Sequence, residues 1–136
     1  MIKNILVSYD GSPLSKKALD LAKDISRNFN ADLKLFMVIP NYYPISDSVY
    51  SGTAVMNYQR VVKSLTEQGE KEIQKITEKC REEGSKASYK IVHDDISSAI
   101  LKEAKRSESE LIVMGSRRLG RIAALKRVGS TARDVS

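Results

Sequence analysis

The feature that most constrains the fold is the alternation of short apolar segments with helical patterns, which repeats four times along the chain. The apolar segments occupy residues 5–7, 33–39, 89–92 and 111–114. Short runs that are apolar at nearly every position are typical of strands covered on both faces. Strands that alternate with helices favour a parallel sheet with helices on both faces, because a parallel connection needs a crossover. The sequence therefore predicts one α/β domain over residues 1–136.

The segments between the strands carry recognisable helix signals. Ser12 is suited to cap a helix that Pro13 begins, and Asp94 or Asp95 can cap a later one. A longer helix is predicted from about residue 61 to residue 83, ended by Gly84. The apolar stripe of the first helix is predicted to consist of Leu14, Ala18, Leu21, Ile25 and Phe29.

Composition places the chain among soluble globular proteins. It has 136 residues, of which 41% are hydrophobic and 29% are charged. No apolar run approaches the roughly 20 residues that a membrane helix needs, and the N-terminus leads directly into the first strand. We therefore expect a cytoplasmic location. Cys80 lies in phase with an apolar helical stripe and is predicted to be a packed core thiol. His93 is predicted to be a loop residue, and no metal site is expected.

The formal net charge of +6 raises the question of nucleic-acid binding. The chain has no zinc-finger spacing, and only 6% of its residues are aromatic side chains that could stack on bases. Many of its 23 lysines and arginines fall on predicted helix faces, where they would be solvated. We therefore do not expect nucleic acid as a partner.

Two glycine turns with neighbouring hydroxyl side chains stand in the last third of the chain. Gly115 and Ser116 follow the fourth apolar segment, and Gly129 precedes Ser130 and Thr131 at a predicted helix start. Glycine lets backbone N–H groups approach an anion, and a helix N-terminus offers unpaired donors. The charges from residue 115 onward are Arg117, Arg118, Arg121, Lys126, Arg127 and Arg133, against Asp134. The two turns together predict a phosphate-binding site.

Several motifs combine into one pattern. The chain has Ile-Leu-Val-Ser-Tyr-Asp-Gly-Ser near its start, Phe-Met-Val at the end of the second strand, Ile-Val-Met-Gly-Ser in the fourth, and a later Gly-Ser-Thr. In these features it resembles the universal stress protein family over nearly its full length. The resemblance implies a flavodoxin-like, Rossmann-like fold, ATP (or AMP or ADP) as ligand with magnesium as a companion, and a homodimer.

The resemblance also implies a role for individual residues. Asp10 would accept hydrogen bonds from the ribose hydroxyls. Val38 would meet the adenine through its backbone and side chain, with Ser8 and Tyr9 beside it. Gly115 would let the backbone lie against the ribose and phosphates, and the turn at residues 129–131 would cradle the phosphates. The full candidate set is Ser8, Tyr9, Asp10, Val38, Met114, Gly115, Arg117, Arg118, Gly129, Ser130 and Thr131.

The chain departs from the family pattern in three ways. The ATP-binding members carry Gly, two residues, Gly, nine residues, then Gly-Ser or Gly-Thr; here Arg118 replaces the second glycine, and the interval to Gly129 is one residue longer. Arg118 could block the backbone's approach to a phosphate, or its guanidinium could replace the lost contacts. Gly120 could supply the flexible point instead. Finally, the chain reaches Ser136 about two turns into the last helix, without the family's fifth strand, which often forms a dimer edge.

The residues leave other interpretations open. Asp10 could serve only as the cap of the first helix, and Gly115 with Ser116 could form an ordinary turn. The basic segment 117–127 could be an amphipathic helix that packs on a partner. No activated nucleophile, paired catalytic carboxylates or Walker motif is visible, so we expect a regulatory or stress-response module and no enzyme. The alternative is a nucleotide-independent dimeric interaction module of the same fold.

Overall fold

The computed structural model describes residues 2–40, 52–116 and 121–126. Strands and helices alternate along the chain up to the last two strands. In chain order the elements are β1 (Asn4–Ser8), α1 (Pro13–Phe29), β2 (Asp32–Ile39), α2 (Gly52–Glu82), β3 (Lys86–His93), α3 (Ile96–Arg106), β4 (Leu111–Ser116) and β5 (Arg121–Lys126).

The strands form one sheet in the order β3-β2-β1-β4-β5. The first four are parallel, with Val7 of β1 opposite both Leu35 of β2 and Val113 of β4. Chain connections run outward from β1 on one side and then jump to β4 on the other, so the strand order reverses between β1 and β4. The predicted parallel sheet with helices on both faces is confirmed, and the order β3-β2-β1-β4 with this reversal is that of a doubly wound, Rossmann-like α/β fold.

The fifth strand was not expected in this position. Strand β5 runs antiparallel to β4, with Ser116 opposite Arg121 and Leu111 opposite Lys126. A return strand after a short link can only be antiparallel, because a parallel one needs a crossover of a dozen or more residues. Within residues 121–126, the interpretation of this segment as an amphipathic helix is therefore wrong. Backbone pairing with the open edge of β4 prevails over the helical spacing.

Each face of the sheet has its own core. Helices α1 and α2 cover the face that contains Ile5, Val7, Leu35 and Val113, and Tyr9 belongs to the same cluster. Helix α3 covers the other face. There Leu6, Phe36 and Ile112 of the strands pack against Ala99, Ile100 and Ala104 of the helix. The alternation of successive side chains along each strand explains this division.

Helix α1 begins as predicted, and its buried face coincides only in part with the predicted stripe. The Ser12 side chain accepts a hydrogen bond from the Ser15 backbone N–H, and Pro13 follows it in the first turn. The predicted stripe is wrong at Leu21 and Phe29, which are 39% and 49% exposed. Ala18 of the stripe is buried as predicted and Ile25 packs half-buried against the core, and the other buried residues are Ser15, Leu19, Ala22 and Ser26. Small side chains let the helix backbone approach the sheet closely. The spacing of large apolar residues does not predict which small residues will do so.

Helix α2 is longer than predicted, because it begins at Gly52 rather than near residue 61. Its C-terminal end agrees with the prediction, since Gly84 follows it with a φ of +96°. Cys80 is fully buried as predicted, and burial raises the pKa of its thiol. The loop assignment of His93 is wrong, since this residue ends β3 and its Nε2 lies 2.8 Å from the Thr66 hydroxyl of α2. Pairing with Ile39 on the neighbouring strand β2 extends β3 as far as His93.

Candidate functional site

A cleft of about 280 Å³ opens at the carboxyl ends of the parallel strands, between β2, α2 and the turn after β1. Its lining residues are Asp10, Met37, Val38, Ile39, Pro40, Leu65, Gln68, Gly69 and Glu72. Ligands of open α/β sheets bind at this edge, near the reversal of strand order. The cleft brings together two of the predicted site residues, Asp10 from the turn after β1 and Val38 from β2.

The turn after β1 is shaped by its own side chains. The Asp10 carboxylate accepts a hydrogen bond from the Ser12 backbone N–H at 2.8 Å, and Gly11 adopts a φ of +85°. Capping of α1 is done by Ser12, so the interpretation of Asp10 as the helix cap is wrong. Asp10 thus stabilises the turn while its exposed side chain borders the cleft.

Glu72 of α2 is the residue of this cleft that sequence reasoning missed. A Cβ placed on Gly11 would lie 2.6 Å and 2.8 Å from the two carboxylate oxygens of Glu72. The carboxylate therefore rests directly against the turn that carries Asp10, and a larger residue at position 11, where φ is +85°, would make this carboxylate turn aside. One signal was available: Glu72 continues the spacing of Leu65 and Gly69 along one face of the helix, where an acidic side chain would be directed toward the sheet.

The buried side chain of Tyr9 hydrogen-bonds to the Glu72 carboxylate. Its ring is 1% exposed within the core, and its hydroxyl donates a hydrogen bond to Oε1 of Glu72 at 3.3 Å. Burial first, and then the negative charge of Glu72, raise the pKa of Tyr9 to about 12. The hydroxyl therefore stays protonated at neutral pH and acts as a donor. Tyr9 also lines a groove of about 600 Å³ between α1 and α2 and lies outside the cleft of Val38.

The other predicted site residues divide among several places. Val38 and Met114 pack against the core on the α3 face, and Ser8 is half-buried at the end of β1. Gly115 has a packing function, because a Cβ there would lie 2.8 Å from the Cβ of Leu14 at the start of α1. Predicted residues Arg117, Arg118, Gly129, Ser130 and Thr131 lie outside the described residues.

The floor of the cleft is apolar because α2 approaches β2 closely. A Cβ on Gly69 would lie 2.6 Å from the Sδ of Met37, so the glycine brings the helix down onto this side chain. Leu65, itself 41% exposed, continues the apolar wall. An apolar wall with carboxylates at one end can hold a flat ring that carries a hydrogen-bond-donating group.

A second acidic side chain, Glu103 of α3, has very different surroundings on the opposite face. Its carboxylate is 5% exposed and lies 2.8 Å from the Lys34 Nζ and 2.9 Å from the Lys90 Nζ. Arg106 approaches it to 3.7 Å. Burial raises the pKa of Glu103, but the hydrogen bonds and charges of the two lysines outweigh it, so the net pKa is lowered. This cluster fastens α3 to β2 and β3.

Neither a cluster of metal ligands nor a membrane-spanning helix occurs in the part of the chain that the structure describes. Over residues 2–40, 52–116 and 121–126, no three side chains of His, Cys, Asp or Glu come together as metal ligands. Within those same ranges, no helix combines the length and the apolar character needed to traverse a bilayer.

The sheet order and the cleft at its carboxyl edge define a doubly wound, Rossmann-like α/β protein with a candidate small-molecule site. The chain belongs to the universal stress protein family, whose model matches residues 1–136. The sequence-based recognition of this family is therefore confirmed.

Individual relatives agree with this assignment. Universal stress protein YxiE of Bacillus subtilis (strain 168) is 28% identical over 138 residues, which cover 100% of this chain and 93% of that protein. The solved universal stress protein UspA from Lactobacillus plantarum superimposes with a TM-score of 0.73 at 16% identity, covering 98% of this chain and 89% of that one. The universal stress protein from Archaeoglobus fulgidus in complex with dAMP superimposes with a TM-score of 0.55 at 19% identity, covering 99% of this chain and 90% of that one.

Proposed function

We propose that this protein binds an adenine nucleotide at the carboxyl edge of its sheet and acts as a regulatory or stress-response module. The observation that carries the proposal is the cleft in which Asp10 and Val38 meet. In this arrangement Asp10 accepts hydrogen bonds from the ribose hydroxyls, while the backbone around Val38 contacts the adenine. The solved complex of the Archaeoglobus fulgidus protein with dAMP supports an adenine nucleotide as the ligand class.

The size of the cleft limits which part of the ligand it holds. Its volume of about 280 Å³ lies near the lower end of the roughly 300–1,000 Å³ common for ligand pockets. A nucleoside fits this space better than a complete triphosphate. The phosphates would extend toward the basic C-terminal residues, where Arg117, Arg118 and the turn at 129–131 are the proposed contacts, with magnesium as a companion of ATP.

The proposed role is binding rather than turnover. The polar groups of the described cleft are the Asp10 and Glu72 carboxylates, the Gln68 amide and backbone groups of the β2 end. This set offers hydrogen-bond acceptors but includes no His, Cys, Lys or Ser that could act as an activated nucleophile. We therefore propose that the nucleotide serves as a signal. The proposed location of the protein is the cytoplasm.

A second candidate function is that of a dimeric interaction module that needs no nucleotide. It is favoured by β5, which is the last strand of the described sheet and therefore has an outer edge without a strand partner there. Leu21 and Phe29 of the neighbouring helix α1 are exposed. An edge strand with exposed apolar side chains nearby suits pairing with a second copy.

Thermal unfolding with nucleotides tests the first proposal against the second. A ligand at about 100 times its Kd stabilises the folded state by about 2.7 kcal/mol, which corresponds to a rise in Tm of roughly 5–10 °C for a domain of this size. We expect such a rise with AMP and ATP, with magnesium present, and a smaller one with GTP. Equal Tm values with and without millimolar AMP and ATP would leave the interaction module as the better account.

A pair of matched variants ties the effect to the cleft. Asp10→Asn keeps an oxygen that accepts from the Ser12 N–H but removes the charge offered to the ribose. Asp32→Asn makes the same change at the start of β2, at the opposite edge of the sheet. The Tm rise with AMP should fall by at least half in the first variant and persist in the second.

A further inference from the structure

We propose that Glu72 is a second acceptor for the ribose diol beside Asp10, so that this protein prefers ribonucleotides to 2′-deoxyribonucleotides. The inference rests on the proposed nucleotide site and names a specificity-determining residue within it. Its basis is the juxtaposition of two carboxylates, one from the turn after β1 and one from α2, in a single cleft.

The position of the Glu72 carboxylate follows from Gly11. Its two oxygens lie 2.6 Å and 2.8 Å from the place that a Gly11 Cβ would occupy. Since Asp10 is the adjacent residue and borders the same cleft, both carboxylates are presented at one end of it. Met37 and Leu65 supply apolar lining of the same cleft, which suits a base rather than a sugar.

The Glu72 carboxylate also has unused hydrogen-bonding capacity. Among the described residues its hydrogen-bond partner is the Tyr9 hydroxyl, which occupies Oε1 at 3.3 Å. An ionised carboxylate has about four acceptor positions, so Oε2 and the remaining position on Oε1 can accept further donors. Glu103, in contrast, uses its carboxylate on two lysines.

The chemistry of the two carboxylates selects the ribose rather than the phosphate. Two negative groups at one end of a small cleft repel a phosphate, whereas two vicinal hydroxyls offer the donors that they need. In this arrangement Glu72 accepts from the 2′-hydroxyl and Asp10 from the 3′-hydroxyl. A 2′-deoxynucleotide lacks one of the donors and leaves a carboxylate without its partner, which reduces affinity more than the loss of contact area alone.

Tyr9 is a positioning residue in this scheme. It is buried and does not line the cleft, so it acts on the ligand through Glu72 alone. Its hydroxyl restricts the carboxylate to the Gly11 turn. Removal of this hydroxyl by Tyr9→Phe keeps the shape of the core while loosening Glu72.

Calorimetric titration of the full chain with AMP and 2′-deoxy-AMP tests the inference. We expect the wild type to bind AMP about tenfold more tightly than 2′-deoxy-AMP. In Glu72→Ala the affinity for AMP should fall about tenfold and that for 2′-deoxy-AMP should hardly change, so the preference is lost. Tyr9→Phe should reduce the preference to about threefold to fivefold, a change that a purely structural role would not produce.

The matched control is Glu70→Ala, which removes an exposed glutamate from the same helix outside the cleft. It should keep the full preference for AMP. Wild-type protein that binds both nucleotides equally, or Glu72→Ala protein that keeps the tenfold preference, would overturn the role of Glu72 and leave the proposed nucleotide binding intact. Wild-type protein that binds neither nucleotide would overturn both.

Discussion

Two glutamates, Glu72 of α2 and Glu103 of α3, lie against opposite faces of the same sheet and have opposite kinds of surroundings. Glu103 is held by the ammonium groups of Lys34 and Lys90 at 2.8 Å and 2.9 Å. Glu72 is held by one neutral hydroxyl, that of Tyr9, at 3.3 Å. A buried carboxylate with cationic partners stabilises a fold, whereas one at a cleft with spare acceptor positions is available to a ligand.

Removal of the charge at each glutamate should separate the two roles most strongly. Glu103→Gln leaves Lys34 and Lys90 without their anion, and loss of one member of a buried ion pair costs about 3–5 kcal/mol. Both lysines are more than a quarter exposed, at 27% and 29%, and can turn toward water. We therefore expect a loss at or just below the lower limit of this range, about 2–3 kcal/mol in urea unfolding.

Glu72→Gln is the matched change on the other face. The amide oxygen still accepts from Tyr9, so we expect the free energy of unfolding to fall by under about 0.5 kcal/mol. Similar losses in the two variants would mean that Glu72 is as structural as Glu103, and the contrast between the faces would fail.

Two glycines, one in the turn after β1 and one after α2, test whether the Glu72 carboxylate rests on the Gly11 turn. Gly11 and Gly84 both have positive φ, at +85° and +96°, and only Gly11 has a carboxylate where a Cβ would go. Gly84→Ala should cost about 1 kcal/mol for the strained backbone. Gly11→Ala should cost slightly more, about 1.5 kcal/mol, because the Glu72 carboxylate, the end of a flexible side chain, must also turn aside.

Urea unfolding of both alanine variants measures this difference. The combined variant Gly11→Ala with Glu72→Ala should recover the excess, because the obstructing carboxylate is gone. If Gly11→Ala costs no more than Gly84→Ala, Glu72 does not rest on the turn in solution.

The smallest expected effect is the pH dependence of the Glu103 cluster. The folded-state pKa of Glu103 is lowered from 4.5, because the lysine contacts outweigh the effect of burial. Its stabilisation is therefore complete above pH 4.5 and is lost as the pH falls through the lowered folded-state value. Between pH 5 and pH 3, wild-type stability should decline more steeply than that of Glu103→Gln. Parallel declines in urea unfolding would exclude this contribution.

Much of the fold could be predicted from local sequence. Ser12 and Pro13 begin α1 and Gly84 follows α2, because caps and glycine conformations depend on neighbouring residues alone. The four parallel strands follow from their apolar runs, since a strand covered on both faces needs apolar side chains on each. Family membership came from motifs that keep their residue types and order.

Other parts of the fold depended on packing between distant segments. Strand β5 exists because β4 offers an open edge, and no periodicity within residues 121–126 records that edge. The face by which α1 meets the sheet was decided by small residues such as Ser15 and Ala22. These side chains carry little apolar surface, so a pattern of large apolar residues does not include them. Because α1 packs through this face, Leu21 and Phe29 remain exposed.

The sequence by itself therefore determined the α/β class, the family, and Asp10 and Val38 as candidate site residues. Only the tertiary structure decided that Glu72 rests on the Gly11 turn while Glu103 lies between lysines. Both are glutamates on amphipathic helices, and nothing local to either residue separates them. The difference arises from the strand or turn on which each carboxylate comes to rest, and contacts between residues far apart in the chain are fixed only when the helices pack on the sheet.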